Sequence, residues 1–427
     1  MAKYLITGGV PLAGKVRISG AKNSALKLMA ASLLSPRKSI LHNVPLIQDV
    51  FTMADVLREL GAEVSIDSDR VEIDPSGELQ DTAPYELVRR MRASILVMGP
   101  LLARLKRARV AMPGGCNIGP RHINFHLNGL EKLGARINVG HGFINVAANR
   151  LTGDAISLDY PSVGATENLM MAAVTARGRT VIESAAREPE IIDLAKFLTS
   201  MGASISGAGT STIVIDGVEE LEGATHTVIP DRIEAGTYML AAAVTNGEIE
   251  VEGISPRYLE LFISKLRAVG VQVKEFDNGV SCSGDGDYSG TDIATLPYPG
   301  FPTDLQAPVI VLLSLAQGHS IVTENVFENR FTFVDELNRL GANVQTSGHH
   351  AVVHGGCHFE GTIVEATDLR AGAGLVLAGL AASGQTEVRR IGHIDRGYEY
   401  FEHKLQALGA DIERVESSKR SPSASLT

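Results

Sequence analysis

Six times along the chain, apolar residues at helical spacing lead into a Leu/Met/Val-Gly-Ala/Val step and then give way to alternation. The stretches read LRELGAEVSI, LEKLGARINV, LTSMGASISG, LRAVGVQVKE, LNRLGANVQT and LQALGADIER. Their glycines, Gly61, Gly134, Gly202, Gly270, Gly341 and Gly409, lie 68 to 73 residues apart. A period that changes from 3.6 to 2 across a glycine predicts an amphipathic helix, a left-handed residue that ends it, and a strand. Turn residues such as Phe276-Asp277-Asn278-Gly279 then make that strand the first arm of a hairpin. Upstream of each step lies a second helical stretch of another kind. Residues 25–34, 168–175, 236–244, 305–315 and 372–382 are apolar and small nearly all round, and 94–105 is bulkier. A helix apolar on every face is buried.

Each unit of about 70 residues thus holds one buried helix, one amphipathic helix and several strands, too large for a solenoid repeat. Six units in two groups of three predict an α/β protein of two domains, each with helices packed inside a shell of sheets. A chain of 427 residues is long enough for two such cores. Apolar residues make up 44% and charged residues 21%, and no apolar run approaches the length of a membrane span, so no membrane partner is expected. The N-terminus lacks a secretory pattern, and the three cysteines, 116, 282 and 357, are odd in number and far apart; a reducing cytoplasm is the expected location. A net charge of −10 and the lack of Trp argue against nucleic acid as a partner. An anionic substrate would need a local cationic cluster.

Two features could supply one. The stretch Met112-Pro113-Gly114-Gly115-Cys116-Asn117-Ile118-Gly119-Pro120-Arg121 has too many Gly and Pro for a helix or central strand, so it reads as an exposed loop with a cysteine and an arginine. A Gly-rich turn with an incidental Cys fits these residues equally well. The second feature is the charge that precedes nearly every buried helix: Lys22-Asn23, Arg89 to Arg92, Glu167, Asp231-Arg232, Thr303-Asp304 and Asp368-Leu369-Arg370. One or two would be caps. Six at matching places suggest helix N-termini gathered with Lys22, Arg92 and Arg370 around an anion, Arg396 being a further candidate. For Arg89, Arg90 and Arg232 ordinary ion pairs are the better reading.

Other signals are weaker. Gly207-Ala208-Gly209 lies between two strand-like runs, not between strand and helix, so it is no dinucleotide fingerprint. His349, His350, His354, Cys357 and His358 are metal-ligand types, and on one strand His350, His354 and His358 would share a face. Gly355-Gly356 interrupts that strand, so no metal is predicted. The segment 417–427 is polar and expected to be disordered.

Longer motifs carry a resemblance. ISGAKNSAL, MRASILVMGPL, PGGCNIGPR, AAREPEIIDLAKFL, FPTDLQA, TENVFENRF, ATDLRAGAGLVLAGL and HIDRGYEYFEHKLQALGADIERV closely resemble the UDP-N-acetylglucosamine enolpyruvyl transferases of the EPSP synthase family, from about residue 3 to 415. The resemblance implies two inside-out α/β barrels of three units each, with an active site in the cleft between domains. It implies domains at 21–229 and at 1–20 plus 230–416. The implied reaction moves enolpyruvate from phosphoenolpyruvate to the 3'-hydroxyl of UDP-N-acetylglucosamine with release of phosphate, the first committed step of peptidoglycan synthesis, with no metal or organic cofactor.

The resemblance also implies roles. Cys116 would donate a proton to C3 of phosphoenolpyruvate or add to it covalently, and Asp304 would take the sugar hydroxyl proton. Lys22, Arg121 and Arg396 would hold the phosphate and carboxylate, Arg92 and Arg370 would belong to the same cluster, and Asn23 would bond the tetrahedral intermediate. His122, Ile123, Asn124 and Phe125, with Tyr160, Pro161, Ser162, Val163 and Gly164, would contact the nucleotide. In that family a Pro usually follows the loop arginine, with an Asp two residues later, and a Lys often precedes the Ser-Val-Gly turn. Here His122, Asn124 and the Tyr160-Pro161 pair depart from that pattern. Val326, Arg330 and Asp368 complete the expected substrate contacts. The alternatives are an enolpyruvyl transferase for another nucleotide or for shikimate 3-phosphate, and a catalytically silent binding protein. The shikimate enzymes lack this Cys loop, and an intact Lys22, Cys116, Asp304 and Arg396 set speaks against a silent one.

Overall fold

The computed structural model describes residues 2–112 and 123–416. The chain forms two compact units, one of residues 1–17, 235–295 and 303–427, the other of residues 18–234 and 296–302. The Cys116 loop and the segment 417–427 lie outside the described residues.

The six glycines do what their position demands. Their φ angles run from 91° at Gly134 to 116° at Gly270, the left-handed region in which a Cβ is disfavoured, and a strand starts two residues after each. In the unit built on 18–234, those strands belong to hairpins Glu63–Asp67/Arg70–Asp74, Arg136–Gly140/Phe143–Ala147 and Ser204–Ser206/Thr212–Asp216. The second arm of each pairs antiparallel with a strand that follows the buried helix, namely Ser39–His42, Arg107–Ala111 and Arg179–Glu183. A short parallel strand flanks two of these sheets: Thr225–Thr227 on the first and Ala155–Ser157 on the third. In the second sheet only the bridge from Thr82 to Arg109 holds that place.

The other unit repeats the plan with a permuted start. Hairpins Gln272–Phe276/Gly279–Ser283 and Asn343–Ser347/His350–His354 are local. The sixth hairpin has only one arm of its own, Asp411–Val415, and takes the other, Lys3–Thr7, from the N-terminus. The next strand, Ala13–Arg17, pairs parallel with Glu248–Glu252 and so closes the ring of three sheets. The first 17 residues are thus the end of the sixth repeat, placed at the start of the chain.

The all-round apolar stretches are interior helices, as expected. Every residue of Leu369–Leu380 and of Gln306–Ser314 is buried, whereas the helices before the glycines, such as Glu260–Val269, bury one face. Interior Leu, Ile, Val and Met side chains each contribute about 1.5–3 kcal/mol by leaving water. These helices differ from the sequence expectation in two ways. Several start a turn earlier, at Lys22, Val163, Arg232 and Leu369, which places Lys22, Arg232 and Arg370 inside the first turn and Glu167 just beyond it, while Asp231 and Asp368 stay ahead of their helices. The stretch 94–105 is split into a 3-10 segment Arg92–Val97 and an α-helix Met98–Leu105. Pro100, which lacks an N–H and crowds the carbonyl four residues back, is tolerated only in a first helical turn, so the α-helix begins just before it. Pro308 acts likewise after the 3-10 turn Thr303–Leu305.

Gly99 marks a close helix contact. Its N–H donates to Asn168 Oδ1 at 2.7 Å, and a Cβ there would fall within the radius of both the side-chain and backbone oxygens of Asn168. Gly99→Ala is expected to push helix Met98–Leu105 away from Val163–Ala173 and cost about 1–3 kcal/mol, visible as a lower denaturation midpoint. Among the described residues, no helix is long and apolar enough to cross a membrane.

Candidate active site

The expected site residues fall into sets on both units. In the 18–234 unit, the chain enters helix Lys22–Ala31 through a fixed turn. Gly20 bridges Pro230, and a Cβ on it would collide with the Asn43 carbonyl; Ala21 donates its N–H to Ile229 O at 2.7 Å. Asp231 then serves two helices at once. Its Oδ2 accepts the Lys22 N–H at 3.2 Å, and its Oδ1 accepts from Ile233 and Glu234 at 2.8 and 3.2 Å. Asp193, buried, accepts from Ser24 Oγ at 2.5 Å, lies 2.8 Å from His226 Nε2 and receives the Ile229 N–H at 3.4 Å. The turn that carries Lys22 and Asn23 is therefore held from several sides.

Lys22 itself is buried, and its Nζ lies 2.7 Å from Asp49 Oδ2, also buried. An anion brought to Lys22 would share the ammonium with this carboxylate. Asp49 stands in the first turn of helix Gln48–Glu59, where an acidic residue reads from sequence as a dipole partner, so its link to Lys22 was not legible.

The residues of this unit expected to contact the nucleotide lie on two elements packed together. Ile123, Asn124 and Phe125 begin helix Asn124–Lys132, and Tyr160, Pro161, Ser162, Val163 and Gly164 lead into Val163–Ala173, with Ser162 Oγ accepting the Ala165 N–H at 3.4 Å. Gly164 faces the His126 ring so closely that a Cβ would sit about 3.3 Å from it. Since Asn168 Oδ1 is taken by Gly99, its Nδ2 faces His126 Nδ1 at 3.1 Å; that nitrogen accepts, leaving the His126 proton on Nε2. Arg232 makes the ion pair expected of it, with buried Glu190 at 3.1 Å.

In the other unit, Asp304 lies between two arginines. Arg330 Nη2 is 2.8 Å from Oδ1 and the Arg370 guanidinium 3.2 Å from Oδ2, both arginines being nearly buried while the carboxylate side chain keeps 23% exposure. The Arg370 guanidinium also lies over the Tyr398 ring, 5.2 Å from its centroid, and Tyr398 Oη is 2.8 Å from Thr237 Oγ1. The N-cap position of the interior helix Gln306–Leu315 is Leu305, not Asp304, and Leu305 makes no side-chain cap. Glu324, which sequence reading missed, fixes the surroundings. Its carboxylate accepts from Thr303 Oγ1 at 2.9 Å, Val326 N at 2.8 Å and Phe327 N at 3.1 Å, and so joins the Asp304 turn to the loop bearing Val326 and Arg330.

Asp368 caps helix Leu369–Ala381, its Oδ1 accepting from Arg370 N at 2.8 Å and Ala371 N at 3.1 Å. Arg396 ends the 3-10 segment Ile391–Arg396 and is half-buried. Burial, with Arg390 and Arg396 adding positive charge, pushes His393 below the usual imidazole value against the pull of Asp368. The structure thus brings together Asp304, Arg330, Arg370 and the Val326 loop in one unit, and Lys22, Asn23 and Asp49 in the other. Cys116, Arg121, His122 and the side chain of Arg92 lie outside the described residues. Cys282 is buried in a strand, and burial pushes its thiol up to about 12, so it is chemically quiet as expected.

Residues 6–405 match the family model for EPSP synthase (3-phosphoshikimate 1-carboxyvinyltransferase). The chain is 53% identical over 413 residues to UDP-N-acetylglucosamine 1-carboxyvinyltransferase 1 of Caldanaerobacter subterraneus, covering 96% of this chain and 99% of that one. It is 55% identical over 417 residues to UDP-N-acetylglucosamine 1-carboxyvinyltransferase 2 of Carboxydothermus hydrogenoformans, covering 97% and 100%. Among solved structures, the enolpyruvyl transferase NikO from Streptomyces tendae superposes with a TM-score of 0.89 at 28% identity, covering 98% of this chain and 99% of that chain. EPSP synthase from Acinetobacter baumannii gives 0.74 at 18% identity, covering 97% and 100%, and shares the fold.

Proposed function

We propose, since this chain belongs to the EPSP synthase family, that it transfers enolpyruvate from phosphoenolpyruvate to the 3'-hydroxyl of UDP-N-acetylglucosamine and releases phosphate, the first committed step of peptidoglycan synthesis. The observation that carries the choice of acceptor is identity above 50% over nearly the full length of relatives named for that reaction, against 18% to an EPSP synthase. A cytoplasmic location belongs to the same reading, in keeping with free thiols at Cys282 and Cys357.

In the mechanism we propose, the Cys116 thiol gives its proton to C3 of phosphoenolpyruvate, leaving C2 electron-poor. The 3'-oxygen bonds to C2 while Asp304 takes the hydroxyl proton, giving a ketal that still bears phosphate. Loss of a proton from C3 restores the C2–C3 double bond as the C2–O bond to phosphate breaks. Lys22, Arg121 and Arg396 hold the phosphate and carboxylate, with Arg92 and Arg370 adding positive charge, and Asn23 bonds the ketal, where binding lowers the barrier. Arg330 and Arg370 anchor the Asp304 carboxylate, and its remaining exposure leaves it open to a hydroxyl. His122, Ile123, Asn124 and Phe125, with Tyr160 to Gly164, Val326 and Asp368, form the nucleotide-sugar contacts in this reading.

The test is a phosphate-release assay with phosphoenolpyruvate and one acceptor at a time. UDP-N-acetylglucosamine is expected to support turnover. Release with shikimate 3-phosphate or another nucleotide, and none with UDP-N-acetylglucosamine, would overturn the acceptor.

A further inference from the structure

One cluster of metal-ligand side chains plays no part in this reaction. The sheet Ile293–Ala294, His319–Thr323, His350–His354, Asn343–Ser347 carries histidines on facing strands, and the register sets His319 directly opposite His354. The next pair outward, Gly318 and Gly355, is joined by a hydrogen bond from Gly355 N to Gly318 O at 2.9 Å. Antiparallel pairs alternate, so His319 and His354 form a non-hydrogen-bonded pair, the kind whose side chains come closest. Their rings meet nearly edge to face, with Nδ1 3.2 Å from Nδ1. The backbone is closely packed at this sheet end: a Cβ on Gly355 would collide with the Ala316 carbonyl, which accepts the Gly356 N–H at 2.7 Å.

We propose that His319 and His354 form a zinc-binding site in which the two Nδ1 atoms chelate one ion on the solvent face of the sheet. At Zn–N distances of about 2.0–2.1 Å, two nitrogens 3.2 Å apart subtend about 100° at the metal, near the tetrahedral angle that zinc prefers. Without metal, one Nδ1 donates its proton to the other. Binding moves that proton to Nε2 of the same ring, so both Nδ1 lone pairs face the ion and no net charge need leave the rings. His319 is exposed and His354 half-buried, so water can fill the remaining positions.

This pair differs from the grouping that sequence spacing suggested. His350 stands at the other end of the strand pair, with Nδ1 3.0 Å from Thr323 Oγ1, and His358 lies beyond the Gly355-Gly356 turn. Cys357 Sγ donates to the His354 carbonyl at 3.2 Å. Among the described residues, no group of three or more His, Cys, Asp and Glu could hold a metal. The site is therefore bidentate and exchangeable, and zinc there ties one strand to its neighbour without taking part in the transfer.

The test is zinc titration of the full chain after removal of metal with a chelator, alongside His319→Asn and His354→Asn. Parent protein is expected to bind one ion at the pair. Each variant should lose about 10²-fold in affinity, because a single imidazole forfeits the effective concentration supplied by its neighbour. Zinc should raise the melting temperature of the parent and of neither variant, while all three melt alike in chelator and keep the same turnover. Cadmium in place of zinc should give no sulfur-to-metal charge-transfer absorption at this site. No saturable uptake by the parent, undiminished uptake by either variant, or a cadmium–sulfur band that disappears with the histidines would overturn the proposal.

Discussion

Asp304→Asn is expected to lower turnover by about 10² to 10⁴, the range of a lost general base. The competing account gives Asp304 only the task of neutralising Arg330 and Arg370, at 2.8 and 3.2 Å. Both accounts predict some loss of stability, since Asn withdraws the negative charge facing two nearly buried guanidiniums, and removing one partner of a buried pair is costly. Asp304→Glu separates them. Glutamate restores the charge between the arginines but moves the carboxylate by a methylene, and a misplacement of about 1 Å can cost 10² in rate. A neutralising role predicts that Glu recovers stability and turnover together; a proton-accepting role predicts that stability returns while turnover stays low. Phosphate release and thermal melts on the same samples read both quantities. A folded Asp304→Asn variant with parental turnover would remove Asp304 from the chemistry.

The neighbours of Asp304 show where the sequence is legible and where it is not. The six helix-ending glycines could be read directly, because a left-handed residue after an amphipathic run leaves few options, and all six have positive φ. Interior helices could be read because burial on every side leaves no polar face. The boundary at Pro100 was legible in principle, from the missing N–H of that residue. The acidic partners were not. Asp49, Asp193, Asp231 and Glu324 reach the Lys22 and Asp304 turns from stretches distant in sequence or from other elements, and in isolation each looks like a helix cap or surface charge. Nothing local distinguishes a carboxylate that caps its own helix from one that also holds another. The same limit hid His319, whose partner His354 becomes visible only when the strands are in register.

Lys27→Met is expected to have a pH-dependent effect on stability, because it removes a cation paired with a fully buried carboxylate. Lys27 and Glu167 pair at 2.8 Å between two interior helices, yet neither Glu167 oxygen accepts an aligned hydrogen bond among the described residues. Burial therefore outweighs the pull of Lys27, with Glu190 and Glu188 adding negative charge, and the Glu167 carboxyl rises from 4.5 to about 7. A carboxyl raised in the folded state holds its proton there after the unfolded chain has lost it. Its contribution is thus greatest below pH 4.5 and is lost as pH climbs towards 7, by on the order of 3 kcal/mol. At pH 5.5 Glu167 is mostly neutral in the parent and offers Lys27 little ionic attraction, so Met in place of Lys27 should be neutral or stabilising. At pH 8.5 the parent holds an ion pair, and the variant must bury a lone carboxylate or protonate it, at a cost of about 3–5 kcal/mol. The double variant Lys27→Met with Glu167→Gln removes both charges and should lie near the parent with a flatter pH profile. With no Trp in the chain, denaturation is best followed by far-ultraviolet circular dichroism at both pH values. A stability gap between parent and Lys27→Met that stays the same from pH 5.5 to 8.5 would show that Glu167 does not titrate in this range, and the buried pair would then be an ordinary ion pair.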